Sequence, residues 1–175
     1  MTDNTKKELA SWIKTIVLAV AIALFINFVL IVNATVPTGS MENTIMSHDR
    51  VIALRLSYKF SDPERGDVVI FKYPDAPEGE TVLYVKRIIG LPGDTVEVKN
   101  GGVYINGELL EEDYVKDTTD GEFGPYYVPE GCYFMMGDNR NNSLDARYWE
   151  NTYVEKDDIL GKVIFKYYKK PAIIK

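Results

Sequence analysis

The sequence predicts a mainly β protein, in which a single N-terminal transmembrane helix is followed by an antiparallel, barrel-like β domain. Two observations predict this fold class. A long run without charged side chains lies close to the N-terminus, and behind it short segments rich in β-branched and aromatic residues alternate with Gly, Pro and Asn turns. The 175 residues have room for one ordinary domain plus such a helix.

The apolar run predicts the helix. No charged residue occurs from Thr15 to Val36, and about 20 apolar residues cross a bilayer core. The lysines that precede the run, Lys6, Lys7 and Lys14, favour a cytoplasmic N-terminus. We therefore expect a cytoplasmic segment over 1–14, a transmembrane helix over 15–35 and an extracytoplasmic β domain over 36–175.

Two other interpretations of the run remain open. The small residues of 33–35 after a hydrophobic stretch are compatible with a cleaved secretory signal, although the stretch is longer than a signal core. A buried helix of a soluble protein is disfavoured because residues 17–32 are apolar on all sides apart from Asn27.

Turn signals divide the remaining chain into short strands. Asn100-Gly101 and Asn106-Gly107 are typical of tight hairpins, and Pro92-Gly93 is a turn between two β-branched segments. A loop is expected over 113–125, where Asp, Thr and Gly are frequent. The predicted strands are 51–58, 67–73, 81–89, 95–99, 103–105, 133–136 and 159–168.

Composition limits the partners. The net charge is −6 and the pI is near 4.9, which argues against a nucleic-acid partner. Cys132 is the only cysteine, so no disulfide can form within the chain. Since the sequence has no metal-binding cluster, phosphate loop or dinucleotide fingerprint, no cofactor and no metal are expected.

Two residues in the β region are candidates for chemistry. Ser40 follows the apolar run on a backbone that Pro37 and Gly39 keep irregular, where a serine is either a turn residue or an exposed nucleophile. Lys86 lies in a strand that is apolar on both faces, with Arg87 on the opposite face. Burial would lower the pKa of this lysine and make its neutral amine available as a base, whereas an arginine stays protonated.

The alternative base is His48, the only histidine in the chain. A Ser40–His48 pair needs only proximity in space, and sequence order does not forbid it. The polar neighbours of His48 favour a solvated loop position instead.

Three stretches together resemble the type I signal peptidase family: Pro37-Thr38-Gly39-Ser40-Met41, Lys86-Arg87-Ile88 with the turn at 92–94, and residues 137–147. The resemblance implies a signal peptidase catalytic domain in which Ser40 is the nucleophile and Lys86 the general base. It further implies that the Ser40 N–H and the Thr38 hydroxyl stabilise the oxyanion. Such preorganised donors lower a barrier by a few kcal/mol.

The third stretch implies a supporting shell around this pair. By the resemblance, Ser143 hydrogen-bonds the lysine amine, Asp145 and Arg147 form an ion pair, and Asp138 also supports the site. The sequence departs from the family pattern at Asn43, where proline is usual, and at Ala146, where serine is frequent. These departures leave the substrate preference open.

The resemblance also implies substrate and location. Family members cut signal peptides from secreted precursors after small residues, with alanine typical at the first and third positions before the cut. The expected location is the bacterial cell membrane, with the lipid bilayer as a partner. We expect the substrate to bind as an extended strand, with apolar residues after Ser40 and near Tyr84 lining its pockets.

Three rival classes need different residues. A sortase-type transpeptidase would use Cys132 and His48, although Cys132 lies in an apolar strand, where an inert thiol is the default. An anchored β module without activity would have no use for Lys86. A self-cleaving repressor of the Ser/Lys type would be soluble and would bind DNA, which the apolar run and the acidic charge oppose.

Overall fold

A computed structural model describes residues 3–168 and 170–174 of the chain. Residues 1, 2, 169 and 175 lie outside the described residues, and the corresponding ends of the predicted segments 1–14 and 36–175 lie there with them.

The apolar run forms a helix that the rest of the chain leaves bare. Helix α1 covers Asp3–Phe25 and continues as a π-helical turn over Ile26–Leu30. Residues Ala10–Leu30 have a mean hydropathy of 2.5 and are long and apolar enough to cross a membrane. Because none of this segment is buried against other residues, it is not the core helix of a soluble domain.

The predicted helix over 15–35 is wrong at its C-terminal end. Residues Ile31–Thr35 form strand β1, which pairs antiparallel with β2, Arg50–Leu54. Three of these five residues are β-branched, and the pairing buries Val32 in the core. A continuous apolar run does not reveal where a helix passes into a buried strand, because both are apolar throughout.

Within residues 3–168 and 170–174, ten more strands follow β2, six of them close to their predicted positions. They are β3 Val68–Lys72, β4 Leu83–Gly90, β5 Thr95–Lys99, β6 Gly102–Ile105, β7 Glu108–Leu109, β8 Phe123–Tyr127, β9 Cys132–Met136, β10 Tyr153–Glu155, β11 Ile159–Lys166 and β12 Ala172–Ile173.

In the described part of the chain all strand pairings are antiparallel, and they form two sheets. The larger sheet has the order β1-β2-β11-β3-β4-β9-β10, with β12 beside the end of β11, and the smaller has the order β7-β6-β5-β8. Bulges in β11 and β4 increase the local twist, so the larger sheet curls into an open half-barrel with β1 and β10 at its edges. The prediction of a partly closed antiparallel β domain is confirmed.

Two predicted boundaries differ from the structure. The strand predicted over 51–58 ends at Leu54 and is followed by a 3₁₀ turn over Arg55–Tyr58. The loop predicted over 113–125 ends earlier, because Phe123–Tyr127 pairs with β5 as strand β8. Gly124 and Pro125 are turn signals in sequence, yet an edge strand next to a register shift accommodates both.

The core consists of two apolar clusters, and the second fixes the segment after β1. The first lies between the two sheets and includes Ile88, Phe134 and Met136. The second lies under β1 and β2 and includes Met41 and Ile45, both with no exposed surface. Burying a side chain of this size stabilises the fold by about 1.5–3 kcal/mol, so these two residues anchor the turn that carries Ser40.

Candidate active site

The segment that carries Ser40 is held from several directions. We call residues 37–45 the nucleophile turn. Its own backbone bonds run from Glu42 N to Gly39 O (3.1 Å) and from Ile45 N to Met41 O (2.8 Å). Asn139, which follows β9, donates its side-chain amide to Gly39 O (3.0 Å) and its backbone N–H to the carbonyl of Ser40 (3.1 Å). Ser40 is therefore fixed to a neighbouring segment, and only 7% of its surface is exposed.

Strand β4 brings Lys86 to this serine. Lys86 lies opposite Val69 of β3 in the sheet register and is 3% exposed. Its Nζ donates a hydrogen bond of 2.6 Å to Ser40 Oγ. The two candidates that the sequence predicted thus meet in a buried contact.

Burial controls the charge of this lysine. Loss of water lowers its pKa from 10.5 to about 8. The charges of Asp145 and Asp138 act in the opposite direction, and that of Arg147 adds to the lowering. Near neutral pH an appreciable fraction of Lys86 is therefore the neutral amine that can accept a proton from a hydroxyl.

Thr38 lies on the exposed side of the nucleophile. Its Oγ1 is 3.3 Å from Ser40 Oγ, and either hydroxyl can be the donor. The Thr38 hydroxyl therefore lies next to the oxygen that would attack a substrate. This position is compatible with the predicted role of Thr38 as a donor to the oxyanion.

Asp145 and Arg147 form a fully buried ion pair. Arg147 donates Nε to Asp145 Oδ1 (2.8 Å) and Nη2 to Asp145 Oδ2 (2.9 Å). Asp145 Oδ2 also accepts the N–H of Gly137 (3.0 Å), and Arg147 Nη2 donates to the carbonyl of Arg140 (2.6 Å). The pair therefore ties together the chain from 137 to 147.

The expected bond between Ser143 and the lysine amine is wrong for this structure. Ser143 is buried, but among the described residues its Oγ has no hydrogen-bond partner. The amine of Lys86 is turned towards Ser40 instead. Ser143 still lies close, because a Cβ placed on Gly137 would overlap both Ser143 Oγ and the carbonyl oxygen of Ser40.

Asp138 belongs to a second buried ion pair. The residues that it contacts were not predicted from the sequence to be part of the site. Arg87 donates Nε and Nη2 to the two carboxylate oxygens of Asp138 (2.9 and 2.7 Å). Thr44 of the nucleophile turn donates its hydroxyl to the same carboxylate (2.5 Å). The only signal in sequence was the alternation that puts Arg87 on the face opposite Lys86.

The alternative nucleophile and base are differently placed. His48 is exposed, with a positive φ of 67°, which is the conformation of a turn residue. Burial, together with the charge of Glu155, raises the pKa of the Cys132 thiol and so reduces its thiolate fraction. The structure therefore favours the loop interpretation of His48 and an inert thiol at 132.

A groove of about 350 Å³ opens onto the Ser40–Lys86 contact. Residues 34–40 form one wall and residues 83–86 the other, with Ile70, Asn142 and Leu144 completing it. The expectation that residues after Ser40 line this groove is wrong, because Met41 is buried in the core. Among residues 3–168 and 170–174, no group of three or more His, Cys, Asp and Glu is arranged to hold a metal ion.

Known proteins resemble this chain over nearly its whole length. The family model of signal peptidase, peptidase S26, matches residues 9–168. A probable signal peptidase I-2 from Synechocystis is 40% identical over 98% of this chain and 77% of its own length. Signal peptidase I S from Bacillus subtilis is 38% identical over 94% of this chain and 92% of its own length. A solved signal peptidase I from Enterococcus faecalis is 34% identical, with a TM-score of 0.47 over 58% of this chain and 97% of that chain. By the family model and the sequence relatives, the chain belongs to the signal peptidase family, peptidase S26, and is a serine endopeptidase of the signal peptidase I type.

Proposed function

We propose that this chain is a membrane-anchored endopeptidase that removes signal peptides by means of a Ser40–Lys86 dyad. The observation that carries the proposal is the buried contact of 2.6 Å between Lys86 Nζ and Ser40 Oγ. A serine hydroxyl becomes a strong nucleophile only when a base removes its proton, and an amine with a pKa of about 8 can do so near neutral pH.

In the first half of the reaction, Ser40 Oγ attacks the carbonyl carbon of the scissile peptide and its proton passes to Lys86 Nζ. The negative charge that develops on the carbonyl oxygen is stabilised by the Ser40 N–H and the Thr38 hydroxyl. The Lys86 ammonium then gives its proton to the leaving nitrogen. The carbon–nitrogen bond breaks, and an ester remains on Ser40.

In the second half, water attacks the ester while Lys86 Nζ accepts its proton. The ester carbon–oxygen bond breaks, and Ser40 Oγ recovers a proton from Lys86. One peptide bond and one water are consumed, and one carboxylic acid and one amine are formed, which at neutral pH become a carboxylate and an ammonium. Lys86 ends in its starting state.

An unpaired strand edge supports binding of the substrate as an extended chain. Strand β9 pairs with β4 only from Arg87 to Gly90, so within the part of the chain described here the same edge of β4 over 83–86 has no strand partner. That edge borders the groove that leads to Ser40. A substrate strand added there would present its carbonyl to the nucleophile.

The size of the groove supports a preference for small residues next to the cut. Tyr84, Val36 and Ile70 contribute bulky side chains to a groove of about 350 Å³, which must hold several substrate residues. Alanine would fit beside Ser40, whereas a large side chain would have to displace these walls. We therefore assign precursors with small residues at the first and third positions before the cut.

The bare helix supports an uncleaved anchor. Its apolar side chains are exposed from residue 10 to residue 29, as for Trp12 (69%) and Leu18 (62%). Cleavage near Ala34 would remove β1 from the sheet, because residues 31–35 all pair with β2. The lysines before the apolar run support a cytoplasmic N-terminus in a bacterial cell membrane, with Ser40 on the other face.

The family assignment sets aside the rival classes, and mutagenesis tests the dyad itself. We expect Ser40→Ala and Lys86→Ala to lower the cleavage of a precursor by the detergent-solubilised full chain at least about 10³-fold, with the fold retained. The matched control is Lys99→Ala, which removes an exposed lysine from β5 and should keep full activity. Full turnover by either dyad variant contradicts the proposal. Alkylation of Cys132 should leave the activity intact.

A further inference from the structure

We propose that Glu112 and Tyr114, from the segment between β7 and β8, are positioning residues for the Ser40–Lys86 pair. We call these two residues the brace. The inference rests on the proposed function, since it assigns them a role in the reaction of that dyad. Neither residue lines the substrate groove. They act through two arginines.

Glu112 holds the first arginine in a buried, two-point ion pair. Its carboxylate accepts Arg140 Nη1 (2.7 Å) and Nη2 (2.5 Å), and the two side chains are 8% and 1% exposed. Burial lowers the pKa of Arg140, but the hydrogen bonds and charge of Glu112 outweigh this and raise it. A bidentate geometry of this kind fixes the guanidinium plane as well as its charge.

Tyr114 holds the second arginine by its ring. The guanidinium carbon of Arg87 lies 3.8 Å from the centroid of the Tyr114 ring, well within the range of a cation–π contact. The Tyr114 hydroxyl donates to Glu112 Oε1 (2.5 Å). The two members of the brace therefore form one unit that touches both arginines.

From Arg140 the contacts lead to one side of the nucleophile turn. Arg140 Nε donates to the carbonyl of Gly137 (3.0 Å). Gly137 packs so closely against the carbonyl of Ser40 and against Ser143 that a Cβ there would overlap both. A shift of the Arg140 guanidinium is thereby transmitted to the backbone of the nucleophile.

From Arg87 the contacts lead to the other side of the same turn. Arg87 binds Asp138 through two nitrogens, and Asp138 accepts the hydroxyl of Thr44. Arg87 also donates Nη1 to the carbonyl of Gly66 (2.6 Å) and directly follows Lys86 in β4. The same arginine therefore links the strand that carries the base to the turn that carries the nucleophile.

The two routes predict a particular kinetic effect. The brace touches the supports of Ser40 and Lys86, whereas substrate would bind against residues 34–38 and 83–85. Loosening the brace should lengthen the contact between Nζ and Oγ and leave the groove walls in place. A misplacement on the scale of 1 Å can cost as much as 100-fold in rate, so kcat should fall while KM stays nearly constant.

The test compares brace variants of the full chain with matched substitutions on the small sheet. We expect Glu112→Gln and Tyr114→Leu to lower kcat at least tenfold, with KM changed less than twofold. Tyr114→Phe keeps the ring over Arg87 and should stay within about threefold of the parent. The control Glu97→Gln changes a partly exposed carboxylate on β5, and the control Tyr104→Leu removes the ring on β6 that contacts Lys99. Both should leave kcat unchanged.

Folding is measured by thermal unfolding of each variant at the assay pH, and kcat is expressed per folded molecule. An unchanged kcat per folded molecule in Glu112→Gln and Tyr114→Leu overturns the inference, and so does an equal loss in Tyr114→Phe. If Glu112→Gln does not fold, the comparison of Tyr114→Leu with Tyr114→Phe decides alone. Ser40→Ala and Lys86→Ala are assayed in parallel. If Ser40→Ala and Lys86→Ala retain turnover, the proposed dyad is wrong. If both are inactive while the brace variants keep full activity, only the role of the brace is rejected.

Discussion

Two lysines on consecutive strands, one in each sheet, show what the active site adds to an ordinary β surface. Lys86 of β4 lies 5.6 Å from the ring centroid of Tyr84, and Lys99 of β5 lies 4.9 Å from that of Tyr104. Their pKa values nevertheless move in opposite directions. Burial lowers the pKa of Lys86 to about 8, whereas a hydrogen bond that Lys99 donates to Glu97 raises the pKa of Lys99.

The aromatic neighbour therefore does not decide the charge state of either lysine. Lys99 keeps 39% of its side chain in water and has a carboxylate at 2.8 Å, while Lys86 is buried and bonded to a hydroxyl. Carboxylates do lie near Lys86, but Asp145 and Asp138 are bound by Arg147 and Arg87. The two buried arginines thus neutralise the charges of these carboxylates. The loss of water therefore outweighs their attraction and lowers the pKa of Lys86.

Replacing each lysine by methionine should give the largest contrast. Lys86→Met removes the base, so activity should fall at least about 10³-fold, and the variant should be more stable than the parent. A pKa of about 8 in the folded state against 10.5 in the unfolded state means that, at pH 7, folding buries a charged amine at a cost of roughly 3 kcal/mol. Urea unfolding at pH 7 should therefore show a gain of about 1–3 kcal/mol for Lys86→Met.

The pH dependence of this gain follows from the sign of the pKa shift. Well below pH 8 both the folded and the unfolded state carry the proton on Lys86, so the full cost of burying the charge is present. Between pH 8 and 10.5 the folded state loses the Lys86 proton before the unfolded state does. The parent therefore becomes more stable relative to Lys86→Met. The advantage of Lys86→Met should shrink over this interval, and Lys99→Met should show no gain at pH 7. A destabilised Lys86→Met at pH 7 would contradict the buried-amine explanation.

Removing the hydroxyl of Thr38 should have the next largest effect. Thr38→Val keeps the shape of the side chain but removes the second donor beside Ser40 Oγ. The loss of one oxyanion donor typically lowers kcat by about 10²–10³-fold. Thr38→Ser retains the hydroxyl and should remain within about tenfold of the parent. Steady-state cleavage rates check both, and a Thr38→Val enzyme as fast as Thr38→Ser would remove Thr38 from the mechanism.

Sequence patterns predicted those parts of the fold in which local signals agree with tertiary pairing. The β5–β6 hairpin lies where it was predicted from the Asn-Gly turn at 100–101 and from the alternation of apolar and polar residues over 95–99. Strand β1 was missed because an apolar helix and an apolar strand follow each other without a break. Strand β8 was missed because its Gly124-Pro125 step is a local turn signal that pairing with β5 overrides.

For the site, residues within a motif were predictable and contacts between distant segments were not. Burial of Lys86 followed from its apolar neighbours, and the ion pair of Asp145 with Arg147 joins residues two apart. The contacts of Thr44 with Asp138 and of Glu112 with Arg140 join residues 94 and 28 positions apart. No periodicity links such pairs, so only the folded sheet order reveals them.

The proposed reaction depends on Lys86 losing its proton around pH 8 instead of near 10.5, and titration of its amine measures this. Carbon-13 NMR of lysine Cε in the labelled full chain, with the Lys86 signal identified by its loss in Lys86→Met, gives the midpoint. We expect a midpoint of about 8 for Lys86 and a cleavage rate that rises along the same curve. The Lys99 signal should titrate above its ordinary value of 10.5. A Lys86 midpoint near 10.5 would contradict the proposed reaction.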